Sequence, residues 1–367
     1  MDLFEEMKTE GHEQVLCCSD SGSGLSAIIA IHSTRLGPAL GGCRMWSYTS
    51  FDVALSDVLR LSKAMTYKAA IAGLALGGGK SVILGDPRKD KTPARMLAFA
   101  QQVSLLGGRY IVAEDVGITL ADIALFRTIT PYVAGFSEAA GGSGNPSSAT
   151  ALGVFLGMQA CLEEVFGDPS FHGKRAAIQG MGKVGYALAK LLHAAGAHLI
   201  ISDMDPEKVA IGCREFNGDP VHPHEIYRVD CDLFVPCALG GILNDRTVPA
   251  LSCKIVAGSA NNQLGNAAVA KDLQSRGILY APDYVINAGG LICVSSKVDT
   301  DIKVKAIYGR LKEIFRLAKS EALLPSEVAD KLAEKTLNQC DYSPQPLSMN
   351  REGGASQGYG KVVDKLL

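Results

Sequence analysis

The sequence predicts an α/β protein built from two domains, and three observations lead to this prediction. Its 367 residues exceed the roughly 100–200 residues of one typical domain. Strand-like and helix-like segments alternate through the second half, as in βαβ units on a parallel sheet. Between the halves, the segment at 139–150 is rich in Gly, Ser and Pro, which favours a loop or hinge. We expect one domain over 1–140, another over 146–322, and a loose tail at 342–367.

The first domain mixes strands with helices. Apolar runs predict three strands, at 25–32, 81–87 and 109–115. Apolar residues at helical spacing predict a helix over 51–72, and another helix is expected over 96–106. The apolar face of the longer helix consists of Val53, Leu55, Val58, Leu59, Leu61 and Met65.

The second domain begins with a long helix expected over 151–166. Five further apolar runs predict strands, at 175–180, 198–205, 231–238, 254–260 and 277–283. Helical patterns occupy three more segments, at 183–196, 303–322 and 325–338. This alternation predicts a parallel sheet with helices on its faces.

Composition argues against several classes of partner. A formal net charge of −2 with 20% charged residues does not suggest a polyanion-binding surface, so we expect no nucleic-acid partner. No run of about 18 uninterrupted apolar residues is present, so we expect no membrane span. The acidic start, MDLFEEMKTEGHEQV, lacks the basic and apolar regions of a signal peptide. We therefore predict a cytoplasmic protein.

The ten cysteines predict neither disulfides nor a metal site. They are scattered, form no CxxC pair and lie mostly beside apolar residues, which is typical of buried free thiols in a reducing compartment. His222 and His224 could share a strand face, but no cysteine or acidic residue flanks them convincingly. We expect no metal.

The segment GMGKVG places glycines at Gly180, Gly182 and Gly185, directly after a predicted strand and before a predicted helix. In this context GxGxxG predicts a Rossmann-type dinucleotide site, because glycines permit a tight turn, close approach of a pyrophosphate and close helix–strand packing. Asp203 ends the next strand, where an acid accepts bonds from ribose hydroxyls and repels a 2′-phosphate. The sequence favours NAD. Two alternatives stay open: a ligand-free βαβ turn, and a 2′-phosphate held by Arg214 or Lys208.

Two lysines lie in apolar, glycine-rich surroundings. GLALGGGKS at 73–81 is not a P-loop, because the motif requires glycine at the position of Leu74 and a helix afterwards. We expect the glycines at 77–79 to bring the backbone close to something small, with Lys80 nearby. Lys68 ends the preceding helix. A neighbouring ammonium and burial would both favour loss of a proton from one lysine, making it a usable base. The alternative is that both are simply solvated.

A carboxylate follows the strand at 109–115. Asp115 or Glu114 could relay protons there, and strand alternation points the two side chains in opposite directions. Composition does not choose between them.

At these residues the chain closely resembles the Glu/Leu/Phe/Val dehydrogenase superfamily, in particular its leucine and phenylalanine dehydrogenase branch. The matching stretches, in the family's order, are LGPALGGCRMW, MTYKAA, LGGGKSVI, AEDVG, SGNPSSAT, IQGMGKVG, PCALGGILND, AGSANNQL and GILYAPDYVINAGG. The resemblance implies a catalytic domain of 1–140 completed by a helix at about 325–340. It also implies a nucleotide domain over 146–322 and an active site in the cleft between them.

The resemblance also implies roles for individual residues in oxidative deamination of an L-amino acid to a 2-oxo acid and ammonia. Lys80 would activate water and Asp115 would carry protons to and from the substrate amine, which settles the choice against Glu114. Three groups would hold the substrate carboxylate or amino group: Lys68, the backbone of Gly41 and Gly42, and Asn262. The cofactor would be lined by Thr150, Gly180, Gly182, Val184, Gly185, Asp203, Cys237, Ala238 and Asn287.

By position in these motifs, the pocket for the substrate side chain is formed by Leu40, Met65, Ala113, Leu291 and Val294. All are apolar, so a glutamate side chain would lack a partner for its carboxylate. Ala113 is similar to leucine-type enzymes, whereas Leu291 is similar to phenylalanine-type ones. One methyl group discriminates by only about 1–3 kcal/mol, so overlapping substrates are expected. We favour leucine, valine and isoleucine over phenylalanine.

Three alternatives remain: an enzyme for another amino acid such as tryptophan, a catalytically silent NAD-binding homologue, and a Rossmann reductase of other substrates. The chain also departs from the family after Val294, where SSKVDTDIKVKAIY is several residues shorter than usual. That shortening bears on substrate preference. The resemblance implies a homo-oligomer without fixing its size.

Overall fold

The computed structural model describes residues 2–135, 146–295 and 299–339. These residues form two units, the first containing 2–135 with 294–295 and 333–339, the second containing 146–293 and 299–332. The expected tail at 342–367, the hinge residues 139–145 and part of the shortened segment, 296–298, lie outside the described residues. Which unit is catalytic stays a prediction.

The first unit contains a mixed five-stranded sheet in the order β1-β2-β4-β3-β5. Its strands are β1 (Gln14–Asp20), β2 (Leu25–Ser33), β3 (Ala39–Trp46), β4 (Gly77–Leu84) and β5 (Tyr110–Glu114). The pairs β1–β2 and β2–β4 are antiparallel, whereas β3 is parallel to both β4 and β5. Because β3 lies between β4 and β5, residues near the ends of all three strands can converge.

Helices cover both faces of this sheet. They are α1 (Leu3–Glu10), α2 (Phe51–Ile71), α3 (Pro93–Leu105) and α4 (Leu120–Phe126). Strand β2 shows the two layers, because Ile29 and Ile31 pack in the core formed with α3 and α4, whereas Ile28 and Ala30 pack against α2. This period-two alternation makes β2 a fully buried strand.

The glycine run at 77–79 forms part of strand β4, which corrects the expectation that it faces something small. A Cβ on Gly78 would lie 2.0 Å from the backbone nitrogen of Thr66 in α2, and a Cβ on Gly79 would lie 2.8 Å from the ring of Tyr110. A Cβ on Gly77 would lie 1.9 Å from a backbone oxygen of β2. The glycines therefore let strand and helix pack closely against each other.

The second unit contains a parallel six-stranded sheet in the order β11-β10-β9-β6-β7-β8. Its strands are β6 (Arg175–Gln179), β7 (His198–Ser202), β8 (Asp219–Pro220), β9 (Leu233–Pro236), β10 (Ile255–Val256) and β11 (Leu279–Tyr280). This is the doubly wound dinucleotide-binding order, whose ligand crevice lies outside the carboxyl ends of the strands where the order reverses. Here that point lies between β6 and β9.

Eight helices complete the described chain after the hinge. They are α5 (Pro146–Phe166), α6 (Lys183–Ala194), α7 (Pro206–Phe216), α8 (Ala268–Ser275), α9 (Asp283–Ile286), α10 (Gly289–Ser295), α11 (Thr300–Glu321) and α12 (Pro325–Asn338). Short 3₁₀ turns occur at Ile226–Arg228 and Val248–Ala250. The last of these helices spans the boundary between the two units, which falls after Leu332.

Helix α5 begins at Pro146, so the final five residues of the predicted loop at 139–150 are helical. Proline suits this position because the first turn of a helix does not use its N–H groups. Within the described ranges, α5 is the one helix long and apolar enough to cross a membrane. It packs against α6 and α11 inside the second unit, so its apolar composition is that of a core helix.

The cysteines in the described ranges are free, and most are buried. His222 and His224 lie in a loop with ring centroids 5.3 Å apart, not on the strand face considered above. Residues 2–135, 146–295 and 299–339 contain no cluster of three or more side chains suited to hold a metal ion.

Candidate active site

In the first unit, Lys80 and Asp115 form an ion pair. Lys80 projects from β4, and Asp115 follows the last residue of β5, so the two reach each other across β3. The Lys80 ammonium donates to Oδ2 of Asp115. Lys80 is only 7% exposed, which excludes the alternative that it is a solvated loop charge. The exposed Glu114 has no part in this contact.

The glycines of β3 create the space for this ion pair. A Cβ on Gly42 would lie 2.7 Å from Cβ of Asp115 and 3.3 Å from Nζ of Lys80. A Cβ on Gly41, on the other face, would lie 1.7 Å from the carbonyl oxygen of Gly79. The absent side chain of Gly42 therefore opens room beside Lys80 and Asp115, whereas Gly41 allows β3 and β4 to approach.

A buried phenol supports the backbone of these glycines. The Tyr110 hydroxyl donates to the carbonyl oxygen of Gly41 at 2.9 Å. It also lies 3.0 Å from Oγ of Ser81. Both side chains are fully buried, so this network fixes the strand that would approach the substrate carboxylate.

A second cation contacts the same carboxylate. Nε of Arg44 donates to Oδ2 of Asp115 at 3.3 Å, and its Nη1 donates to Oδ2 of Asp57 at 3.0 Å. Tyr48 donates to that same oxygen of Asp57 at 2.8 Å. Strand alternation places Arg44 on the same face of β3 as Gly42, whereas Cys43 points into the core beneath α3 and α4.

Charge determines the protonation of Asp115. Burial by itself would raise the pKa of this carboxyl group, but the charges of Lys80 and Arg44 hold its pKa below the usual value. The N–H of Val116 also donates to it. Asp115 is therefore an ionised acceptor at neutral pH.

Lys68 lies in the last turn of α2 and is 9% exposed, so it too is not a solvated helix end. The close contact of Thr66 with Gly78 brings this end of α2 against β4. Of the predicted side-chain pocket, Leu40, Met65 and Ala113 all lie in this unit, and Ala113 pairs with Gly42 across β3 and β5.

In the second unit, the loop between β6 and α6 uses its three glycines in three different ways. Gly180 has φ of 103°, in the region that favours glycine, and its Cβ would lie 2.9 Å from Cβ of Ala238. A Cβ on Gly185 would lie 2.0 Å from the Gly180 carbonyl oxygen, so strand and helix pack closely there. A Cβ on Gly182 would meet no atom within 4 Å.

The open position at Gly182 is the N-cap of α6, and no side chain caps this end. Its free N–H groups and the positive end of the helix dipole suit a phosphate. Val184 is the second residue of α6. Together the three glycines supply a tight turn, an open approach and close packing, as a dinucleotide loop requires.

Asp203 follows β7 and is tied to this loop. Its Oδ2 accepts the N–H of Met181 at 2.6 Å, and its Oδ1 accepts the N–H of Asp205 at 2.9 Å. A carboxylate offers about four acceptor sites, so roughly two remain for ribose hydroxyls. Asp203 therefore shapes the loop as well as facing the region where a ribose is expected.

Cys237 and Ala238 follow β9 and lie beside Gly180. They are therefore next to the point between β6 and β9 where the strand order reverses. Thr150 lies in the second turn of α5, where its Oγ1 donates to the carbonyl oxygen of Pro146 at 2.8 Å. A Cβ on Gly290 would lie 2.6 Å from this hydroxyl. Thr150 is therefore next to the start of α10, which carries Leu291 and Val294.

Asn287 brings a buried polar atom to the same region. Its Nδ2 donates to the carbonyl oxygen of Ser259 at 3.1 Å and to Oδ1 of Asn261 at 2.8 Å. Its Oδ1 is buried and accepts no hydrogen bond within the described residues. The next residue after Asn261, Asn262, has a positive φ of 50°. An unsatisfied buried carbonyl oxygen suits the amide of a nicotinamide group.

Comparison with known proteins gives the same assignment. Residues 12–131 match the family described as "Glu/Leu/Phe/Val dehydrogenase, dimerisation domain". Residues 141–207 and 207–324 match "Glutamate/Leucine/Phenylalanine/Valine dehydrogenase". The chain belongs to the Glu/Leu/Phe/Val dehydrogenase family. It is an amino-acid dehydrogenase, and the predicted family and α/β fold class are confirmed.

Similar proteins within the family have several named substrates. The chain is 49% identical over 356 residues to leucine dehydrogenase of Geobacillus stearothermophilus, covering 95% of this chain and 97% of that one. It is 47% identical over 347 residues to phenylalanine dehydrogenase of Lysinibacillus sphaericus, with coverages of 92% and 91%. The solved L-tryptophan dehydrogenase of Nostoc punctiforme has a TM-score of 0.79 at 42% identity, covering 93% of this chain and all of that one.

The family is dinucleotide-dependent. In the first unit, the structure also shows charged and polar residues near the proposed catalytic pair that the sequence motifs did not identify. Arg44 contacts Asp115, Asp57 accepts a hydrogen bond from Arg44, and Tyr48 donates to Asp57. The motifs gave none of these three residues a role, although Arg44 stands in the stretch LGPALGGCRMW. The signal available was a charged residue inside an otherwise apolar strand. Asn262, Leu291 and Asn287 lie in the second unit, and their roles toward substrate or cofactor stay predictions.

Proposed function

We propose that this dehydrogenase catalyses NAD-dependent oxidative deamination of a branched-chain aliphatic L-amino acid to its 2-oxo acid and ammonia. The observation that carries the proposal is the ion pair of the buried Lys80 with Asp115, in space that a side chain at Gly42 would fill. A base and a proton carrier lie side by side there, next to backbone that can approach a small substrate. The reaction consumes amino acid, NAD⁺ and water, and yields 2-oxo acid, ammonium, NADH and a proton.

The residues of the first unit would bind the substrate and move its protons. The Lys68 ammonium and the backbone at Gly41 and Gly42 anchor the carboxylate. Such anchoring fixes the Cα and supplies much of the rate through positioning. The Asp115 carboxylate, ionised at neutral pH, takes a proton from the substrate ammonium and frees the nitrogen lone pair.

A bound dinucleotide would supply the acceptor for the hydride of Cα, and the oxidised substrate would be an imine. Nζ of Lys80, once its ammonium has released a proton, takes a proton from water, and the oxygen of that water bonds to the imine carbon. Asp115 returns its proton to the nitrogen, and the C–N bond breaks as the C=O bond forms. The hydroxyl proton passes to the departing nitrogen, which leaves as ammonium, and Lys80 releases to solvent the proton that it took from water. Burial of Lys80 strengthens its charge interactions with these groups.

The choice of NAD rests on Asp203. Its carboxylate lies at the end of β7 with about two acceptor positions left for ribose hydroxyls, and it would repel a 2′-phosphate. The open Gly182, the uncapped start of α6 and the unpartnered Oδ1 of Asn287 fit the pyrophosphate and nicotinamide amide. Thr150, Val184, Cys237 and Ala238 complete the proposed lining.

The preference for branched aliphatic substrates rests on the apolar pocket residues and on similarity to leucine dehydrogenase. Leu40, Met65 and Ala113 present no charge to a substrate side chain, and Leu291 and Val294 are also apolar. Phenylalanine and tryptophan are the second candidates, because related enzymes named for them are 47% and 42% identical. We also propose a cytoplasmic homo-oligomer, supported by the description of its first family segment as a dimerisation domain.

The test is NADH formation by the purified protein at alkaline pH with a panel of neutral and acidic L-amino acids. We expect turnover with leucine, valine and isoleucine, less with phenylalanine and little with glutamate, and loss of turnover in Lys80→Ala. NADP⁺ replaces NAD⁺ in a parallel series. Binding of NADH without turnover of any amino acid would overturn the catalytic proposal and favour a silent homologue.

A further inference from the structure

Arg44 shares an acceptor atom with Lys80. Both cations donate to Oδ2 of Asp115, from the neighbouring strands β3 and β4. In the proposed reaction Lys80 exchanges protons with water, so its interaction with Asp115 changes during the cycle. A guanidinium cannot lose its proton in a protein. Arg44 is therefore the partner of Asp115 whose charge stays constant.

The Arg44 side chain is itself held in place by further hydrogen bonds. Its Nη1 donates to Asp57 of α2, whose Oδ2 also accepts the hydroxyl of Tyr48. The side chain of Asp57 is 15% exposed and that of Arg44 is 24% exposed. These partly buried bonds leave the guanidinium little freedom, so its Nε stays directed at Asp115.

We propose that Arg44 is a positioning residue, anchored by Asp57 and Tyr48, that keeps the Asp115 carboxylate ionised and oriented toward the substrate amine. This inference rests on the proposed role of Asp115 as proton carrier. It deepens that role, because it names the group that holds the carboxylate when Lys80 exchanges its proton.

The surroundings of Asp115 support this inference. Lys80 on β4 and Arg44 on β3 are the cations that lower its pKa. Burial raises the pKa of the Cys43 thiol on β3 to about 12 and that of the Tyr110 phenol on β5 well above its usual value. Both groups therefore stay neutral and cannot replace the charge of Arg44. The exposed Glu114 carries a like charge and would not compensate either.

A purely structural role predicts a different result. If Arg44 only tied β3 to α2 through Asp57, its removal would lower the free energy of unfolding without changing the ionisation of Asp115. The two roles therefore separate in a pH titration. An opposite charge at this range shifts the pKa of a carboxyl group by roughly 1–3 units, and one unit corresponds to about tenfold in an equilibrium.

The first test measures kcat/KM with NAD and L-leucine across pH for Arg44→Gln, Arg44→Lys and Asp57→Asn. We expect the acid limb in Arg44→Gln to move to higher pH by about one unit. That is about a tenfold loss at acid pH, with recovery at alkaline pH. Arg44→Lys retains the charge and should shift less, and Asp57→Asn, which removes the anchor but also a like charge, should shift less than Arg44→Gln. Lys63→Gln is the matched control, because it removes another ion pair of α2, with Glu10, away from Asp115.

The second test does not depend on activity. Carboxyl carbons of ¹³C-labelled aspartate are titrated by NMR in the full-length protein, and the Asp115 signal is assigned by its loss in Asp115→Asn. A higher pKa of Asp115 in folded Arg44→Gln supports the inference. An unchanged titration, or a loss of activity that is uniform across pH, overturns it. If no amino acid is turned over, the proposed function fails, but this titration still decides the role of Arg44.

Discussion

The two units present their proposed ligand-binding groups in different ways. In the first unit the site consists of side-chain charges, Lys80, Asp115 and Arg44, brought together from three strands. In the second unit it consists of backbone, with an open glycine and an uncapped helix end. A side-chain site is sensitive to single charges, whereas a backbone site is sensitive to added volume.

The largest effect is expected for Asp115→Asn. Because the amide cannot take a proton from the substrate ammonium, kcat should fall by about 10²–10⁴-fold, measured as NADH formation with L-leucine. Dissociation constants for NADH, measured by fluorescence, should not change.

Glu114→Gln is the matched control for that variant, since it removes the neighbouring exposed carboxylate. Its kcat should stay within about twofold of the parent enzyme, the size of effect typical of surface substitutions. A large loss in Glu114→Gln with a small one in Asp115→Asn would reverse the assignment.

Two alanine substitutions at glycine should impair different steps in the two units. Gly42→Ala places a methyl group 2.7 Å from Cβ of Asp115, so kcat should fall by about tenfold or more through displacement of that carboxylate. Gly182→Ala meets nothing in the protein but occupies the space proposed for the pyrophosphate. It should weaken NADH binding while leaving the melting temperature nearly unchanged.

Isothermal titration with NADH and thermal unfolding measure this contrast. Gly185→Ala is the control for packing, because its Cβ would lie 2.0 Å from the Gly180 carbonyl oxygen and should destabilise the protein. If Gly182→Ala binds NADH as tightly as the parent enzyme, the pyrophosphate does not lie there.

An intermediate effect is expected for Asp203→Asn. Loss of the charge weakens the bonds to ribose and removes repulsion of a 2′-phosphate, so the ratio of kcat/KM for NAD⁺ over NADP⁺ should fall by about 10–100-fold. Steady-state kinetics with both cofactors give this ratio. Asp205→Asn is the control, since that residue caps α7. An unchanged ratio in Asp203→Asn would contradict the assignment of NAD specificity to this residue.

The prediction with the smallest expected effect on catalysis concerns pH and the buried histidines of the first unit. Burial, with the nearby His12, lowers the pKa of His32 from 6.5 to about 4, and burial lowers the pKa of His12. As pH falls, the unfolded chain therefore binds protons at these two histidines before the folded protein does. The stabilisation from a neutral His32 is complete above about pH 6.5 and is lost as pH falls toward 4, by about 3 kcal/mol in all.

Hydrogen exchange at pH 7.5 and pH 5, corrected for intrinsic rates, locates this loss. Amides of β2 and α2 should lose protection at pH 5, whereas those of β6 and α6 should lose less. Equal losses in both units would contradict the prediction. His32→Gln should flatten the pH dependence of the free energy of unfolding, measured in urea.

Sequence predicted the backbone site better than the side-chain site. The spacing of Gly180, Gly182 and Gly185 predicts a separate role for each glycine, because each role follows from local geometry within one strand–turn–helix unit. The longer helices were predicted for the same reason, and α12 has the expected limits, Pro325–Asn338. The helices α1, α4, α7, α8, α9 and α10 were not predicted. Where tertiary packing decides, the prediction was wrong, as for Gly77–Gly79, whose neighbours come from α2, β2 and β5.

The partners of Asp115 illustrate why the rest was not predictable. Arg44 and Asp57 are separated by a turn and belong to different elements, so no periodicity links them. Their contact depends on how α2 packs over β3. The resemblance to the family supplied Lys80 and Asp115, whereas the contact of a third charge, Arg44, with Asp115 depends on tertiary packing.

Strand β3 carries two incompatible environments one residue apart. Gly42 and Arg44 face the charged site, whereas Cys43 and Met45 face the apolar core. A slip of one residue in the pairing of β3 would therefore bury a guanidinium among Phe99 and Phe126 and turn a thiol toward substrate. The charges that serve the reaction therefore also favour the correct pairing register of β3 during folding. Variants with a single-residue insertion or deletion in this strand should therefore fail to fold, and the measured defect should be a loss of folded protein before any defect in catalysis.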